Sequence, residues 1–408
     1  MESLRALYKV GYGPSSSHTM GPYFASEKFL SEDNNGVSYK ASLFGSLALT
    51  GKGHFTDKAI EKCFKEHNKK VSIEWHSEIT KPFHPNALTF TSFDKNGNVL
   101  SEKTYYSVGG GKVIEEGKDI QGKDVYGPKF SSMKKILQYC EKEGLSLWEV
   151  PIQKEGMEIF DYMGEVWDAM VDCIERGLDD EGVLPGGLKL QKKAARYYAH
   201  AKSFSGTLAH EAHAISYALA VSEQNANLGL VVTAPTCGSA GVLPSVLYYL
   251  QKQHNFPKAK IQRALLTAGL VGNLIKANGS ISGAEVGCQG EIGSASAMAG
   301  AAATSLLGGS NYQVEYAAEM GLEHHLGLTC DPIMGLVQIP CIERNALASL
   351  RALDHTTLAL LSDGRHMISF DDVVDVMMET GKSISANFRE TALGGLATIM
   401  QKNKNKTR

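Results

Sequence analysis

The chain has 408 residues, 43% hydrophobic and 21% charged, with 41 basic against 44 acidic side chains and a formal charge of -3. That composition excludes global disorder and argues against a chain built mainly for nucleic acid or an anionic membrane; the length suits two or three domains. Glycine is in excess, at 42 residues, above the usual ~7%. The seven cysteines are an odd number and the opening residues Met1–Arg5 carry no apolar leader, so the expectation is free thiols in a reducing, cytoplasmic setting. Two uncharged stretches, 224–251 and 292–314, are long enough to cross a bilayer, but the first holds Pro235 and Pro244 and the second is mostly Gly, Ala and Ser. Both are expected inside the protein, not in a membrane.

In chain order, residues 1–117 mix short strand-type runs with polar turns. Thr56 to Asn68 reads as an amphipathic helix, with Ala59, Ile60, Cys63 and Phe64 at helical spacing. Val71–Trp75 alternates apolar and polar residues, as a half-buried strand does, and Leu88–Phe93 is a second strand-type run. Asp94-Lys95-Asn96-Gly97-Asn98 then predicts a hairpin turn before Val99, and Ser107–Gly111 predicts another break. The charged segment around 118–130 reads as a linker. From Ser131 onward helical periodicity dominates, notably over 194–220, 257–278, 312–321 and 371–382. The expectation is an α+β fold: an N-terminal α/β domain over 1–117 and a mainly helical domain over 131–408. The polar, basic tail 401–408 is expected to fray.

Four stretches carry residues able to do chemistry. Gly11-Tyr12-Gly13-Pro14-Ser15-Ser16-Ser17-His18-Thr19 places hydroxyls ahead of a helical stretch. Such a turn caps the helix and offers N–H groups to an anion, or caps it and binds nothing. Gly51-Lys52-Gly53-His54 sets a histidine among residues of little bulk, suiting either a general base or a surface turn; His84-Pro85-Asn86 is a weaker version. The block around 278–293 is too glycine-rich for an ordinary helix interior, and suits close backbone packing or close approach to a cofactor. Finally Cys288, Cys330 and Cys341 each lie beside proline, glycine or a short polar residue. Three loop thiolates suit an iron–sulfur cluster, but their spacing alone favours three small core residues.

Taken together and in order, four motifs change the odds. They are Gly11-x-Gly13-Pro-Ser-Ser-Ser-His-Thr19, Ala234-Pro-Thr-Cys-Gly-Ser-Ala-Gly241, Ser280-Ile-Ser-Gly-Ala-Glu-Val-Gly-Cys-Gln-Gly-Glu291, and Leu328-Thr-Cys-Asp-Pro332 with Pro340-Cys-Ile-Glu-Arg-Asn345. The chain resembles the bacterial iron–sulfur-dependent L-serine dehydratases in their single-chain form, from Tyr8 to Leu396. The resemblance implies a carbon–oxygen lyase that converts L-serine to pyruvate and ammonia. It implies a [4Fe-4S] cluster on Cys288, Cys330 and Cys341, whose open iron acts as Lewis acid on the hydroxyl. It points to His54 and His18 as the essential histidines, with His54 taken as base. His18 and the turn Ser15, Ser16, Ser17 and Thr19 are taken to hold substrate. Cys237 is read as packing near the site. No cysteine follows Cys341, so the open iron is expected to carry water or another light ligand. Partners beyond L-serine are not expected, apart from further copies of the chain in a homo-oligomer.

Three departures bear on substrate preference and regulation: His325 stands where some relatives carry Asn, Phe55 follows His54 where a small residue would be unsurprising, and the N-terminal domain is short. Two other classes compete. A pyridoxal-phosphate dehydratase needs a Schiff-base lysine, and Lys276 lacks the strand setting for one. An iron–sulfur sensor would hold a cluster without turnover.

Overall fold

The computed structural model describes residues 1–33, 35–118 and 122–399. The tail 401–408 and residues 119–121 of the expected linker lie outside the described residues. Two compact units result: Gly11–Gln121, and Met1–Val10 joined with Gly122–Arg408.

The first unit is built on five strands, β1 (Ser38–Phe44), β2 (Val71–His76), β3 (Asn86–Phe93), β4 (Val99–Ser107) and β5 (Val113–Glu115), in the order β2-β1-β3-β4-β5. β1 and β2 run parallel, with Tyr39 opposite Val71. A parallel pair needs a crossover, and here it contains α2 (Gly45–Thr50) and α3 (Thr56–Glu66); α1 (Gly21–Glu32) precedes β1. β3 and β4 form the hairpin that Asp94–Asn98 announces, its turn fixed by the Asp94 carboxylate accepting from the N–H groups of Asn96 and Asn98, both at 2.8 Å. The core is aromatic: Phe29 stacks on Phe90 with centroids 5.3 Å apart, and Tyr39 meets Phe64 edge-on at 5.4 Å. Each such ring contributes about 1.5–3 kcal/mol by leaving water.

The second unit is helical. Strand structure is sparse in it: the three-residue Leu230–Val232 lies within it, and the strand Val10–Tyr12 begins at its Val10. The principal helices are α4 (Glu158–Asp179), α5 (Gly206–Ala226), α6 (Val242–His254), α7 (Lys258–Asn278), α8 (Ile292–Leu306), α9 (Asn311–Glu323), α10 (Cys341–Leu361) and α11 (Phe370–Ser383). The helical pattern over 194–220 is two helices, Ala194–Ala201 and α5, broken where Gly206 takes φ 60°. α8 lies at the centre, buried along nearly its whole length and made mostly of Gly, Ala and Ser. That composition allows close approach: a Cβ on Gly321 of α9 would fall 2.6 Å from the Ala297 backbone of α8. The charge-free stretches are therefore interior, and no helix among the described residues is long and apolar enough to cross a membrane.

The sheet unit does not begin at the first residue. Leu4, Leu7 and Tyr8 are buried in the helical unit, where they pack against α7 at Gly269 and Gly272, positions at which a Cβ would meet them within 3.0 Å. Tyr8 donates to the Leu265 carbonyl at 2.9 Å, and Lys276 pairs with Glu2 at 2.9 Å. Glycines one turn apart on a distant helix make this groove, and nothing local to residues 1–10 signals it.

Candidate active site

The sheet unit gathers one set of residues. The extended Ser15 caps a widened helical turn, Ser16–Met20, by accepting from the His18 N–H at 3.1 Å. The Ser15 N–H in turn donates to Thr19 Oγ1 at 3.1 Å. His18 is buried with both ring nitrogens engaged, Nδ1 with Ser17 Oγ at 2.8 Å and Nε2 with Ser46 Oγ at 3.0 Å. His54 follows α2 in the crossover, buried, its ring 4.8 Å from that of His18. The two histidines are held reciprocally. Thr19 Oγ1 donates to the His54 carbonyl at 2.7 Å, and Thr56 Oγ1 donates to the His18 carbonyl at 2.5 Å. Between His54 and Thr56 the backbone turns through Phe55 at φ 55°, a conformation costly for a bulky side chain. It leaves His54 and Thr56 buried and Phe55 only partly so.

The His54 Nδ1 faces the Thr50 carbonyl at 3.2 Å. A carbonyl only accepts, so Nδ1 carries the proton and Nε2 keeps its lone pair. Burial holds the His54 pKa down at about 4, against the weaker opposing pull of the Thr50 carbonyl. His18 is held well below its ordinary value by burial and then by His54, with His84 adding to the effect. Two neutral imidazoles therefore face each other at neutral pH. His84 is half-buried and accepts the Asn86 N–H at 3.0 Å, and the Asn86 side chain reaches the Ser107 carbonyl at 3.3 Å.

The helical unit gathers the second set. Cys288 sits on a tight turn just before α8, after Gly287 at φ 78°. Cys330 lies in an extended segment, its N–H donating to the Phe388 carbonyl at 2.7 Å and its carbonyl accepting the Glu390 N–H at 2.6 Å. Cys341 opens α10 directly after Pro340. All three thiols are free. Burial pushes the Cys288 pKa up to about 12, with Glu291 adding to it, and pushes Cys330 and Cys341 well above their usual value. The thiols interact with one another: Cys288 and Cys341 both raise Cys330, and Cys288 raises Cys341. Arg344 offsets this charge, bonding the Cys288 sulfur and donating to the Thr329 carbonyl at 2.5 Å.

Glu291 stands among these thiols, its Oε1 accepting from Thr236 Oγ1 at 2.7 Å and its Oε2 lying 3.9 Å from Cys330 Sγ. Two glycines make room for that carboxylate. A Cβ on Gly238 would fall 2.8 Å from Oε1, and one on Gly283 would fall 2.8 Å from Oε2 and 3.1 Å from Cys330 Sγ. Asn345 ties two motifs together, accepting the Gly241 N–H at 2.9 Å and donating to the Gly238 carbonyl at 2.8 Å. Cys237 is buried beside Glu291, which contributes to raising its thiol. His325 is buried, bonded to the Gly321 carbonyl at 2.7 Å.

Among the described residues no three His, Cys, Asp or Glu side chains converge as a single-ion site. A four-iron cluster takes one protein ligand at each iron, so its donors need not converge on one point. The donor set itself fits such a group: three soft, mutually destabilising thiols, Cys288 and Cys330 buried and Cys341 partly so, with a guanidinium to balance them, and a space at Gly283 between carboxylate and sulfur that a side chain would fill. Sequence reasoning missed Ser46, Thr56, Glu291 and Arg344. Glu291 and Arg344 do lie within quoted motifs, whereas Ser46 and Thr56 become visible only once the crossover is folded.

Residues 3–70 match the family model of the serine dehydratase beta chain, and residues 60–397 match that of the serine dehydratase alpha chain. The chain is 40% identical to the L-serine dehydratase of Streptomyces coelicolor, over 96% of this chain and 97% of that protein. It is 39% identical to L-serine dehydratase 1 of Escherichia coli K12, over 98% of this chain and 100% of that one, and 38% identical to the L-serine dehydratase of Haemophilus influenzae, over 97% and 99%. The model boundary at 60–70 falls inside the β1–β2 crossover, so the beta-chain match ends before the sheet is complete. With both models matched along one polypeptide, the chain belongs to the serine dehydratase family, in its single-chain form.

Proposed function

We propose that the protein is an iron–sulfur-dependent L-serine ammonia-lyase, forming pyruvate and ammonia. The observation that carries this reading is the gathering of Cys288, Cys330 and Cys341, from three separate stretches of chain, around Glu291 and Arg344. These three cysteines would hold a [4Fe-4S] cluster, which when bound supplies a Lewis acid for the departing hydroxyl. His54 Nε2, unprotonated at neutral pH, takes the α-proton of serine. His18, fixed at both nitrogens by Ser17 and Ser46, keeps the neighbouring imidazole in place. In the turn Ser15–Thr19 most hydroxyls and N–H groups hold the turn itself together, and the Ser16 hydroxyl with the N–H groups of Ser16 and Ser17 is taken to receive the substrate carboxylate. Loss of water gives aminoacrylate, whose tautomer takes up water to give pyruvate and ammonia. The seven unpaired thiols support a reducing, cytoplasmic location.

The direct test is anaerobic purification followed by a pyruvate assay with L-serine. Pyruvate together with broad iron–sulfur absorption is expected. An aldimine band, or a cluster without pyruvate, would favour the pyridoxal-phosphate or sensor alternative.

Variants of the turn separate binding from chemistry. Ser16→Ala removes a hydroxyl with no structural partner here to replace. It is expected to raise KM about tenfold, the worth of one hydrogen bond to a charged group, with kcat and the cluster spectrum unchanged. Thr19→Ala also frees the His54 carbonyl and is expected to lower kcat as well as raise KM. Unchanged kinetics in both variants would remove the turn from the site.

A further inference from the structure

The geometry points to a second ligand site in the helical unit, a recess that takes a small organic dianion, either a phosphate ester or a dicarboxylate. Its walls are Lys260 and Arg263 of α7, Ser146 and Trp148 ahead of the short helix Glu149–Glu155, and Ser305 and Leu306 at the end of α8, around a volume of about 280 Å³. This site goes beyond the lyase reading and does not rest on it.

The charge of the recess is one-sided. Lys260 and Arg263 stand three residues apart on α7, so they share a face of that helix, and no Asp or Glu lines the space. Among the described residues neither cation has a carboxylate partner: Arg263 lies over the Trp148 ring at 4.5 Å and Lys260 over the Phe256 ring at 5.2 Å. Lys258, two residues earlier on the same helix, does pair with a carboxylate, that of Asp168 at 2.7 Å. Glu149 comes close in sequence, but it accepts the Ser146 N–H at 2.8 Å and lies outside the lining. A ring covers one face of the Arg263 guanidinium and leaves its N–H edge for an oxyanion, which that planar fork fits in bidentate fashion. Two hydroxyls add donors. The Ser146 hydroxyl has no partner among the described residues, and Ser305 Oγ accepts from Thr267 Oγ1 at 3.4 Å, which leaves its own proton to give.

The recess is built by the fold. Asn311, the first residue of α9, accepts the Leu147 N–H at 3.1 Å and donates to the Leu145 carbonyl at 2.8 Å, which ties the wall that carries Ser146 and Trp148 to α9. Lys260, Arg263 and Ser146 are exposed, whereas Leu306 is buried, so charged groups meet a ligand at the mouth and apolar surface meets it below. The volume approaches the lower end of small-molecule sites, about 300 Å³, and exceeds what a bare oxyanion fills. An organic anion gains from the apolar floor as well as from the two cations, and two cations match two negative charges. The site is separate from the cysteines. α8 runs 15 residues from Ile292 to Leu306, which puts its end at the recess about 20 Å from its start after Cys288.

The test is calorimetric titration of the full-length holoenzyme at low ionic strength with glycerol 2-phosphate, with succinate and, as an uncharged control, with glycerol. At least one of the two dianions is expected to saturate one site per chain below about 10 mM, and glycerol is expected to give no binding. Glycerol 2-phosphate alone would make this a phosphate-ester site, and succinate alone a dicarboxylate site. Arg263→Gln and Lys260→Gln are each expected to weaken the binding about tenfold or more, the worth of a hydrogen bond to a charged group. Both changes fall on exposed side chains, so melting temperature and pyruvate formation without the probe are expected to match the wild type, which shows the variants folded. No saturation by either dianion in the wild type, or wild-type affinity in both variants, overturns the proposal. Calorimetry reads binding alone, so this result and the pyruvate assay with L-serine stand or fall separately.

Discussion

His54→Ala is expected to lower turnover about 100- to 10,000-fold, the usual worth of a positioned general base, with the fold and cluster spectrum retained. The geometry behind this is specific. Nδ1 is committed to the Thr50 carbonyl, so the basic nitrogen is Nε2, and the ring is held against His18 by two threonine hydroxyls. The sign of the pH dependence follows from the pKa of about 4 that burial imposes. A base must be unprotonated, so kcat/KM should stay flat as pH falls toward 6.5 and drop only as pH approaches the folded-state value. A bound substrate carboxylate favours the imidazolium, so the acid limb of kcat should lie at higher pH than that of kcat/KM. Stability moves in the same direction. The unfolded histidine takes its proton near 6.5 and the folded one near 4, so between those values the unfolded state binds more protons and stability falls with falling pH, by at most about 1.4 kcal/mol per pH unit for this group. Melting temperatures from pH 7 to 5 should therefore fall less steeply in His54→Gln than in the wild type. Normal entry of solvent deuterium at the α-carbon of serine in His54→Ala would transfer the base role to another residue, with His18 tested next.

The strands and helices of this protein were legible wherever their signal is local. The alternation in Val71–Trp75 and the turn chemistry of Asp94–Asn98 depend on neighbours in sequence, and they fold as β2 and the β3–β4 hairpin. Within the glycine block close packing is what the structure displays: a Cβ on Gly290 would meet Val286 at 2.5 Å and one on Gly293 would meet His325 at 3.1 Å, while Gly283 leaves room for the Glu291 carboxyl group. What could not be read is non-local. Residues 1–10 belong with α7 because Gly269 and Gly272 open a groove more than 250 positions away. Thr56 looks in sequence like an ordinary helix opening, yet its hydroxyl leaves its own helix uncapped and reaches the His18 carbonyl. Its value depends on a pairing 38 positions away. The cysteines were legible as a set only through motif order, because spacings of 42 and 11 between Cys288, Cys330 and Cys341 match no compact cluster run.

Replacing any one of Cys288, Cys330 and Cys341 by alanine is expected to abolish activity and the native iron content without unfolding the protein. A free buried cysteine packs as a small hydrophobe, so truncation to alanine costs about 1–2 kcal/mol of stability, a small share of what a domain of this size holds. The loss to the cluster is of another kind. In the proposed [4Fe-4S] cluster three thiolates for four irons leave no spare sulfur ligand, and Cys237, buried beside Glu291, belongs to a motif that reads as packing. Cys237→Ala should therefore retain iron, sulfide and activity, as should Cys63→Ala, Cys140→Ala and Cys173→Ala, whose thiols are buried elsewhere. Iron and sulfide analysis beside circular dichroism separates cluster loss from unfolding. On the proposed ligand set the iron without a cysteine carries water or another light ligand, so it should be the first iron lost to oxygen, leaving an inactive three-iron form. Ferrous iron and reductant should restore that form to full activity, and should restore nothing in Cys330→Ala, where the missing element is the protein's own sulfur. Retention of four irons and of turnover in Cys341→Ala would break the ligand set, because the thiol at the start of α10 has no neighbouring cysteine in sequence to take its place.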